Sequence, residues 1–533
     1  IGYLHAFVNP EHERRTAQWL AAARPQLSIT LASEVCPEIR EFERLSTACA
    51  NAYVRPLMAS YLNRLAGELE GMGFECPFLL MTSGGGLTTL ETAARFPIRL
   101  VESGPAGGAI LAREVARGAG LKRVLSFDMG GTTAKLCLID DYEPLTSRSF
   151  EVDRVYRFRK GSGLPVRIPV IEMVEIGAGG GSVAQVDKLG RIQVGPESAG
   201  SEPGPAAYGR GGERPTVTDA DLQLGRVCAK TFAGGSFALD ADASVKALAA
   251  KVAGPLVLEP GLAAFGVSEV VDENMAAAAR AHAAEFGMDL ASRDMVAFGG
   301  AAPLHAVRLG EKLGVGRIIV PAEAGVGSAV GFLLAPVAYE VVRSRRQKLS
   351  ELDHELVNRL MAEMHAESLA VVSRGSRGKT LQEARHAYMR YVGQGHEILV
   401  SLPLENYTQA HQQVFREAFE AAYTRLYGRA MAGIDIEVLS WTLTLSEPAG
   451  EPVSAPPAKS ATRPALKTEQ QRLFDPDVEK FVDARVFLRS ELKAGGLVEG
   501  PALITEDQTT TVVTSGWSAT VGPGGHLVLE KRR

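Results

Sequence analysis

The sequence predicts an α/β protein, and three observations support that class. Short apolar runs at 78–81, 295–298 and 317–320 are typical of buried strands, and each leads towards a turn or helix start that contains glycine. Long stretches with helical spacing, at 39–69 and 266–286, lie between such runs. Apolar residues make up 46% of the 533 positions and charged residues 22%, a composition typical of globular proteins with a sizeable core.

Charge and cysteine usage exclude several classes of partner. A net charge of −5 provides no basic surface for nucleic acid or anionic membranes. The most apolar stretch, 326–339, contains Pro336 and is shorter than the roughly 20 residues of a membrane span. The five cysteines are scattered, with no C-x-x-C pair and no zinc-like spacing, which indicates a reducing compartment. We therefore expect a cytoplasmic protein that binds neither nucleic acid nor membrane.

The stretch 124–139 (VLSFDMGGTTAKLCLI) has the pattern of a hairpin whose tip can carry chemistry. Two apolar runs are joined by Gly130, Gly131, Thr132 and Thr133. Glycines let backbone N–H groups converge on an anion, and threonine hydroxyls add donors. Asp128, at the end of the first run, could hold Mg²⁺ on bound phosphates, because this hard cation prefers oxygen ligands. The pattern favours nucleotide phosphate binding over an ordinary hairpin, and it is not a P-loop.

Two other loops rich in small residues are candidates for ligand contact. Gly177–Ser182 lies between strand patterns at 170–176 and 183–186, which we interpret as a second hairpin that a ligand or neighbouring backbone can approach closely. Residues 103–108 (SGPAGG) precede a helix, and they either bind an anion through free N–H groups or form a tight entry to that helix.

Gly299, Gly300 and Asp219 each allow two interpretations. Gly299 and Gly300 follow the apolar run 295–298 and precede a helix, a pattern that suits either a nucleoside platform or an ordinary strand-to-helix turn. Asp219 stands at the start of another predicted helix, where it is either the N-cap or a polar group of an active site.

These motifs resemble known families at two levels. The Asp-x-Gly-Gly-Thr-Thr hairpin resembles the second phosphate loop of the actin, sugar-kinase and heat-shock-chaperone ATPases. Taken together, the motifs of the whole chain resemble the hydantoinase A/5-oxoprolinase family, which includes the β subunits of acetone-type carboxylases. The motifs that carry this resemblance are EVCPEIREFERLSTACANAYVRP (34–56), SGPAGGA (103–109), FDMGGTT (127–133), EIGAGGGSVAQVD (175–187), VGPESAGSEPGPAAYGRGGERPTVTDADLQLGR (194–226), VAFGGAAPLHA (296–306), YVGQGHEILV (391–400) and GPALITEDQTTTV (500–512).

The resemblance implies an actin-like (ribonuclease-H-like) ATPase core that binds ATP and Mg²⁺. It implies ATP-dependent hydrolysis of a cyclic amide or imide, of hydantoin or 5-oxoproline type, by phosphorylation of the carbonyl. The chain would be the ATP-binding A subunit of a hetero-oligomer with a hydantoinase-B-like subunit. Two alternatives stay open: the β subunit of an acetone- or acetophenone-type carboxylase, and a non-catalytic conformational switch driven by ATP.

The resemblance also implies roles for particular residues. Asp128 would organise Mg²⁺, and His305 is either an acid/base or a buried capping residue. Many relatives have an acidic residue shortly after the two threonines of this turn, whereas this chain has Lys135. Its side chain would either add positive charge to the phosphates or point to solvent. The residues implied to act in catalysis are Asp128, Thr132, Asp219 and His305. Those implied to bind ATP are Gly130, Gly131, Thr132, Thr133, Lys135, Gly179, Gly180, Gly181, Ser182, Gly299, Gly300 and Pro303.

We expect the chain to be divided into consecutive parts. Residues 1–100 would be the remainder of an N-terminal hydantoinase/oxoprolinase subdomain, and 101–342 the ATPase core. An α+β domain would follow at 343–447, a Pro- and Ala-rich linker at 448–465 and a small β domain at 466–533. The family's first phosphate loop, a Gly-Gly-Thr turn, is not found. We therefore expect the sequence to be the latter part of a longer protein.

Overall fold

The computed structural model describes residues 1–153, 155, 161–230, 232–376, 378–448, 450 and 469–532. It forms two compact units, each assembled from separated stretches of chain. Unit 1 comprises Ile1–Ala106, Thr146–Ile171 and Ala335–Gly450, and unit 2 comprises Gly107–Leu145, Glu172–Leu334 and Glu451–Arg533. These units differ from the consecutive parts expected above. The predicted boundary at 342 falls inside a strand, and the predicted linker, 448–465, lies outside the described residues except for positions 448 and 450.

Unit 1 contains a four-stranded antiparallel sheet covered by two helices. Phe415, Phe419 and Trp441 are fully buried in the core that the sheet and helices share. The strands, in spatial order, are Ala338–Lys348, Ile436–Ser446, Gln382–Tyr391 and Ile398–Leu402, and the helices are His354–Val372 and His411–Tyr427. The other helices of this unit are Glu11–Ala23, Ala32–Val35, Glu41–Gly71 and Leu90–Arg95, and its short strands are Leu79–Met81, Leu87–Thr89, Thr146–Ser147, Phe150–Val152, Leu164–Val166 and Val170–Ile171.

A buried ion network attaches the stretch 146–171 to the rest of unit 1. Glu38 is fully buried and accepts hydrogen bonds from Arg148 and Arg167, each at 2.5 Å. Burial alone would raise the pKa of Glu38, but the two guanidinium groups lower it. Loss of either arginine would leave buried charge uncompensated, which is strongly destabilising.

Unit 2 is built around a nine-stranded mixed sheet. The strands 123–129, 294–298 and 317–320 run parallel to one another, and the remaining pairs are antiparallel. In spatial order the strands are Met173–Ile176, Ala134–Asp140, Arg123–Met129, Asp294–Phe298, Arg317–Val320, Leu527–Lys531, Trp517–Val521 and Leu497–Glu499, with Glu143–Pro144 paired to Ala134–Asp140. The helices are Ser103–Ala119 (from Gly107 onward), Val217–Gln223, Ala241–Leu248, Gly254–Leu256, Pro260–Glu285, Ala302–Leu313 and Gly327–Leu334.

The C-terminal strands of unit 2 are divided between two sheets. Leu527–Lys531 pairs with Arg317–Val320 in the main sheet. A separate four-stranded sheet contains Glu469–Asp475, Lys480–Leu488, Ala502–Thr505 and Thr510–Val513. The predicted β structure of the tail is therefore present, but part of it completes the main sheet.

Two local predictions are wrong. Residues 103–108 are not a loop: the helix itself begins at Ser103. Gly107 of this helix permits close packing against the helix Gly327–Leu334, because a Cβ at Gly107 would lie 2.6 Å from the carbonyl oxygen of Ser328. Likewise, a Cβ at Gly331 would lie 1.8 Å from the carbonyl oxygen of Gly107. The strand patterns at 170–176 and 183–186 do not pair as a hairpin. Met173–Ile176 pairs with Ala134–Asp140, and Ser182–Val186 pairs with Ile192–Ser198.

Candidate functional site

The predicted hairpin is present, and its tip is open. Strands Arg123–Met129 and Ala134–Asp140 pair in antiparallel register, and the backbone N–H of Gly130 donates to the carbonyl oxygen of Thr133 at 3.2 Å. Gly131 and Thr132 are exposed. A Cβ built on Gly130 or Gly131 would meet no atom within 4 Å. The turn, which we call the Gly-Gly turn, can therefore be approached closely by a ligand.

Asp128 lies at the base of the Gly-Gly turn and has a defined setting. Ser328 Oγ donates to its Oδ2 at 3.0 Å, and burial raises the pKa of the carboxyl group. Asp128 is opposite Phe298 in the parallel sheet, so the residue after that strand, Gly299, lies beside it. Gly299 has φ +98°, and a Cβ there would lie 2.6 Å from Asp128 Oδ1. Glycine at 299 thus leaves room for the carboxylate.

Lys135 follows the Gly-Gly turn and pairs within the protein. Its Nζ lies 3.3 Å from Glu175 Oε1 on the neighbouring strand and donates to Thr133 Oγ1 at 3.2 Å. The ammonium group is therefore held beside Thr133 of the turn and does not simply point to solvent.

The loop 177–181, which we call the second glycine loop, packs directly against the Gly-Gly turn. The N–H of Gly180 donates to the carbonyl of Gly130 at 3.1 Å, and the N–H of Gly181 donates to that of Gly131 at 2.6 Å. A Cβ at Gly179 would lie 2.6 Å from backbone atoms of Gly131 and Thr132. Residues 179–182 are buried. These glycines are required by backbone packing behind the turn.

Ser182 and Thr218 hold the second glycine loop in place. The N–H of Gly179 donates to Ser182 Oγ at 2.9 Å. Thr218 donates to the carbonyl of Gly180 through both its backbone N–H, at 2.7 Å, and its hydroxyl, at 2.9 Å. Because Thr218 belongs to the helix Val217–Gln223, this helix fixes the loop.

Asp219 is part of a capping box, but it is not itself the N-cap. Thr216 is the N-cap of the helix Val217–Gln223, and the Asp219 side chain accepts hydrogen bonds back from it. The carboxylate also accepts from the backbone N–H groups of Ala206, at 3.2 Å, and Ala207, at 2.7 Å. Asp219 is fully buried, and burial raises its pKa. Its side chain anchors the preceding loop to this helix.

His305 lies in a fully buried cluster that joins three helices. Its Nδ1 lies 2.8 Å from Asp272 Oδ1, and its Nε2 lies 3.2 Å from Asp221 Oδ2. Arg226 also pairs with Asp221, at 3.0 Å. Burial alone would lower the pKa of His305, but the two carboxylates raise it to about 9. Both ring nitrogens are occupied, which favours the structural interpretation of this histidine over the acid/base one.

The predicted nucleoside residues lie at the start of the helix Ala302–Leu313. The N–H of Gly299 donates to the carbonyl of Ala324 at 2.7 Å, and Gly300 is exposed. Pro303 is buried in the first turn of the helix. Thr509, from the C-terminal part of the chain, donates through its hydroxyl to the carbonyl of Gly300 at 3.0 Å.

The structure thus brings together most of the predicted residues and adds others. Asp128, the Gly-Gly turn, the second glycine loop and Gly299 are contiguous, whereas Asp219 and His305 lie in the supporting layer. Sequence reasoning missed the contacts of Ser328 and Thr218. The sequence did contain a signal for Ser328. It follows Gly325-Val326-Gly327 at a helix start, and such small residues are typical of places where backbones approach closely.

Two wider properties bear on the site. Among the described residues, no group of three or more His, Cys, Asp or Glu side chains is placed to hold a metal ion. No single helix in the described ranges is long and apolar enough to cross a membrane; Ala241–Leu256 and Pro260–Glu285 meet the criterion only as a pair, bent by 89°.

Comparison with known proteins gives family-level matches along the chain. The Hydantoinase/oxoprolinase model matches residues 44–341, and the Hydantoinase/oxoprolinase C-terminal domain model matches residues 342–524. An uncharacterized protein of Methanocaldococcus jannaschii is 32% identical over all of this chain and 76% of its own length. The caprolactamase subunit alpha of Pseudomonas jessenii is 30% identical, covering 98% of this chain and 75% of the relative. The acetone carboxylase beta subunit of Xanthobacter autotrophicus is 28% identical, covering 100% of this chain and 75% of the relative.

Two solved structures share the fold. The ATP-dependent caprolactamase of Pseudomonas jessenii superposes with a TM-score of 0.83 at 28% identity, over 99% of this chain and 76% of that one. Nucleotide-free acetone carboxylase superposes with a TM-score of 0.78 at 25% identity, over 99% of this chain and 75% of that one. These neighbours confirm the predicted α/β fold of actin-like ATPase type.

Proposed function

Since this chain belongs to the hydantoinase/oxoprolinase family, we propose that it is the ATP-binding subunit of an ATP-dependent cyclic amide hydrolase. The observation that carries the proposal is the open Gly-Gly turn above Asp128, in a chain that resembles an ATP-dependent caprolactamase along nearly its whole length. The substrate class is a lactam or imide ring of hydantoin, 5-oxoproline or similar type.

The proposed reaction begins from the poor electrophilicity of an amide. The substrate's carbonyl oxygen attacks the γ-phosphorus of ATP, and the bond from that phosphorus to ADP breaks. Water adds to the activated carbon, the ring C–N bond breaks with a proton passing to nitrogen, and an acyl phosphate is left. A second water releases phosphate and the carboxylate. Such a sequence depends on positioning and charge neutralisation more than on a covalent nucleophile.

The residues of the turn fit the phosphates and a magnesium ion. Gly131 and Thr132 are exposed, and the space beside Gly130 and Gly131 is open, so an anion can reach the backbone and the Thr132 hydroxyl there. One protein carboxylate together with phosphate oxygens is a common ligand set for Mg²⁺, and Asp128 supplies that carboxylate beside the turn. The bound ion would neutralise negative charge on the phosphates. Lys135 adds a cation held against Thr133.

Asp219 and His305 act in this proposal as positioning residues. Each side chain is fully buried with its polar atoms paired inside the protein. Both support the helix Val217–Gln223, which fixes the second glycine loop behind the turn. We also propose a hydantoinase-B-like partner, because the similar caprolactamase and carboxylase chains are named as subunits.

The experiment is phosphate release by the chain co-purified with its B-like subunit, with ATP and Mg²⁺. Hydantoin, 5-oxoproline, caprolactam and acetone are compared, with and without bicarbonate. Stimulation by a cyclic amide without bicarbonate is the expected result. Asp128→Ala should abolish that stimulation, and Asp483→Ala, which changes an exposed carboxylate in the C-terminal sheet, should not. ATP turnover that is indifferent to every cyclic amide would overturn the proposal.

A carboxylase function is the second candidate, and a specific observation favours it. Acetone carboxylase shares the fold over 99% of this chain with a TM-score of 0.78. In that case phosphate release would require both the ketone and bicarbonate in the same assay.

A further inference from the structure

A cavity of about 370 Å³ lies within unit 1, and none of its lining residues belongs to the candidate site of unit 2. The volume is in the range of small-molecule sites. Segments distant in sequence provide most of the lining, namely the helices Glu11–Ala23, Ala32–Val35, Leu90–Arg95 and His354–Val372 and the strand Ala338–Lys348. The folded unit therefore assembles this cavity, and no single motif of the sequence encodes it.

Charged side chains dominate the lining of the cavity. Four arginines and three glutamates line it, and no Lys, Asp or His is among the lining residues. Arg95 pairs with Glu34 at 2.6 Å, and Arg343 pairs with Glu367. The cavity thus offers charges of both signs side by side, with one positive charge in excess.

Two of these charged groups are available to a ligand. The Arg14 side chain is exposed and forms no ion pair or hydrogen bond with another described residue. Glu91 lies 3.9 Å from Arg374, and 68% and 64% of these two side chains are exposed, so the pair is weak and each member can still bind a ligand. A guanidinium group such as that of Arg14 binds a carboxylate through two parallel N–H donors.

The inner wall of the cavity combines a fixed backbone with apolar surface. Glu13 is fully buried, and its carboxylate accepts a hydrogen bond from the N–H of Ser33 at 2.9 Å. This contact ties the segment of Ser33 to the helix that carries Arg14. The rings of Phe96 and Tyr339 also line the cavity, and they can pack against methylene groups.

This combination of groups suits a small amino acid. At neutral pH such a molecule carries a carboxylate, which an arginine can bind, and an ammonium group, which a glutamate can bind. Its methylene groups would pack on the aromatic rings of the inner wall. A phosphate with several negative charges suits the cavity less well, because the three glutamates would repel it.

We propose that this cavity binds an amino acid, with the carboxylate on Arg14 and the ammonium group on Glu91. Hydrolysis of a lactam leaves such a molecule, because the opened ring carries a carboxylate at one end and an amine at the other. The cavity is then a product-binding site in unit 1, whereas the proposed phosphate site lies in unit 2. The identity of the ligand as the product rests on the proposed function.

The test compares two ligands that share a carboxylate and a methylene chain but differ in the ammonium group. Binding of 6-aminohexanoate and of hexanoate to the whole chain is measured by titration calorimetry without ATP. Arg14→Gln should weaken both ligands by about 10-fold, because both use the carboxylate. Glu91→Gln should weaken 6-aminohexanoate by about 5-fold and leave hexanoate unchanged.

The matched control is Arg15→Gln. Arg15 is the exposed neighbour of Arg14 on the same helix, but it does not line the cavity, and its guanidinium lies over the ring of Trp19 at 4.9 Å. Its substitution should leave the binding of both ligands unchanged. Equal weakening in the Arg14 and Arg15 variants would overturn the inference, because the substitutions would then act through the helix or through general charge.

The remaining outcomes separate this inference from the proposal on which it rests. If 6-aminohexanoate does not bind the wild type with a Kd below about 10 mM, the cavity is not an amino-acid site, even where lactam hydrolysis is observed in the phosphate-release assay. Wild-type affinity in both the Arg14 and Glu91 variants would also overturn it. If the chain binds 6-aminohexanoate as expected but ATP turnover is indifferent to every cyclic amide, the amino-acid site stands and the proposed function is wrong.

Discussion

The two glycine loops of unit 2 touch each other but use glycine for opposite reasons. At Gly130 and Gly131 a Cβ would enter empty space, and Gly131 and Thr132 are exposed. At Gly179 a side chain would collide with the backbone of Gly131 and Thr132, and residues 178–181 of the loop are buried. A glycine-rich loop therefore does not by itself indicate a ligand. What distinguishes the two is whether the space beside the glycine belongs to solvent or to another segment of the protein.

The largest expected effect is a loss of stability in Gly179→Ala. The new Cβ would lie 2.6 Å from three backbone atoms, which cannot rotate away as a side chain can. We expect a cost of about 3 kcal/mol, visible as a lower midpoint of thermal unfolding. Gly130→Ala, in the neighbouring turn, is the matched control and should leave the midpoint nearly unchanged. Equal midpoints for the two variants would remove the distinction between the loops.

The next effect is on binding. Gly131→Val places a branched side chain in the open space where we propose that phosphates bind, and its Cβ would meet no protein atom within 4 Å. ATP affinity measured by calorimetry should fall about 100-fold, equivalent to about 2.7 kcal/mol, with the thermal midpoint preserved. Wild-type affinity in this variant would show that the turn does not hold phosphate.

The last effect is a gradual pH dependence, spread over several pH units, that acts on the second glycine loop through its supporting helix. The pKa of His305 is raised to about 9 in the folded protein, above the ~6.5 of an unfolded chain. The cluster therefore stabilises the fold fully below about pH 6.5, and this contribution is lost as the pH rises through 9, by at most about 1.4 kcal/mol per pH unit. Wild-type thermal midpoints should fall over this range.

The variant His305→Gln provides the control for that pH profile. It should have a lower midpoint than the wild type at pH 6.5, because Asp272 loses its cationic partner, and its own midpoint should change less between pH 6.5 and 9. Parallel profiles for the two proteins would mean that the pH dependence arises elsewhere.

Local features of the fold could be predicted, but partners distant in sequence could not. The hairpin at 123–140 was predicted because apolar alternation and a Gly-Gly-Thr-Thr turn are local signals. The strand Met173–Ile176 was recognised, but its pairing with Ala134–Asp140 was missed, since register is set by the tertiary contacts of both strands. Ser103–Gly108 looked like a loop because glycines weaken helices, and helix packing against Gly331 overrode that tendency.

The candidate site, like the fold, could be predicted only in its local features. Residue type and spacing identified Asp128 and the Gly-Gly turn, because that chemistry is concentrated in six consecutive residues. The partners of His305 lie on two other helices, and Thr509 approaches Gly300 from the far end of the chain. No local pattern reports which distant carboxylate or hydroxyl will meet a given atom.

The position of Leu527–Lys531 within the main sheet has a consequence for how the protein is made. This strand lies between Arg317–Val320 and Trp517–Val521, so the sheet that positions Asp128 is incomplete until residues 517–531 have been synthesised. Until then, one edge of Arg317–Val320 exposes unpaired backbone groups, a surface prone to intermolecular association. Native pairing between such distant segments is also intrinsically slow. We therefore expect unit 2 to complete its folding only after residues 517–531 have been synthesised.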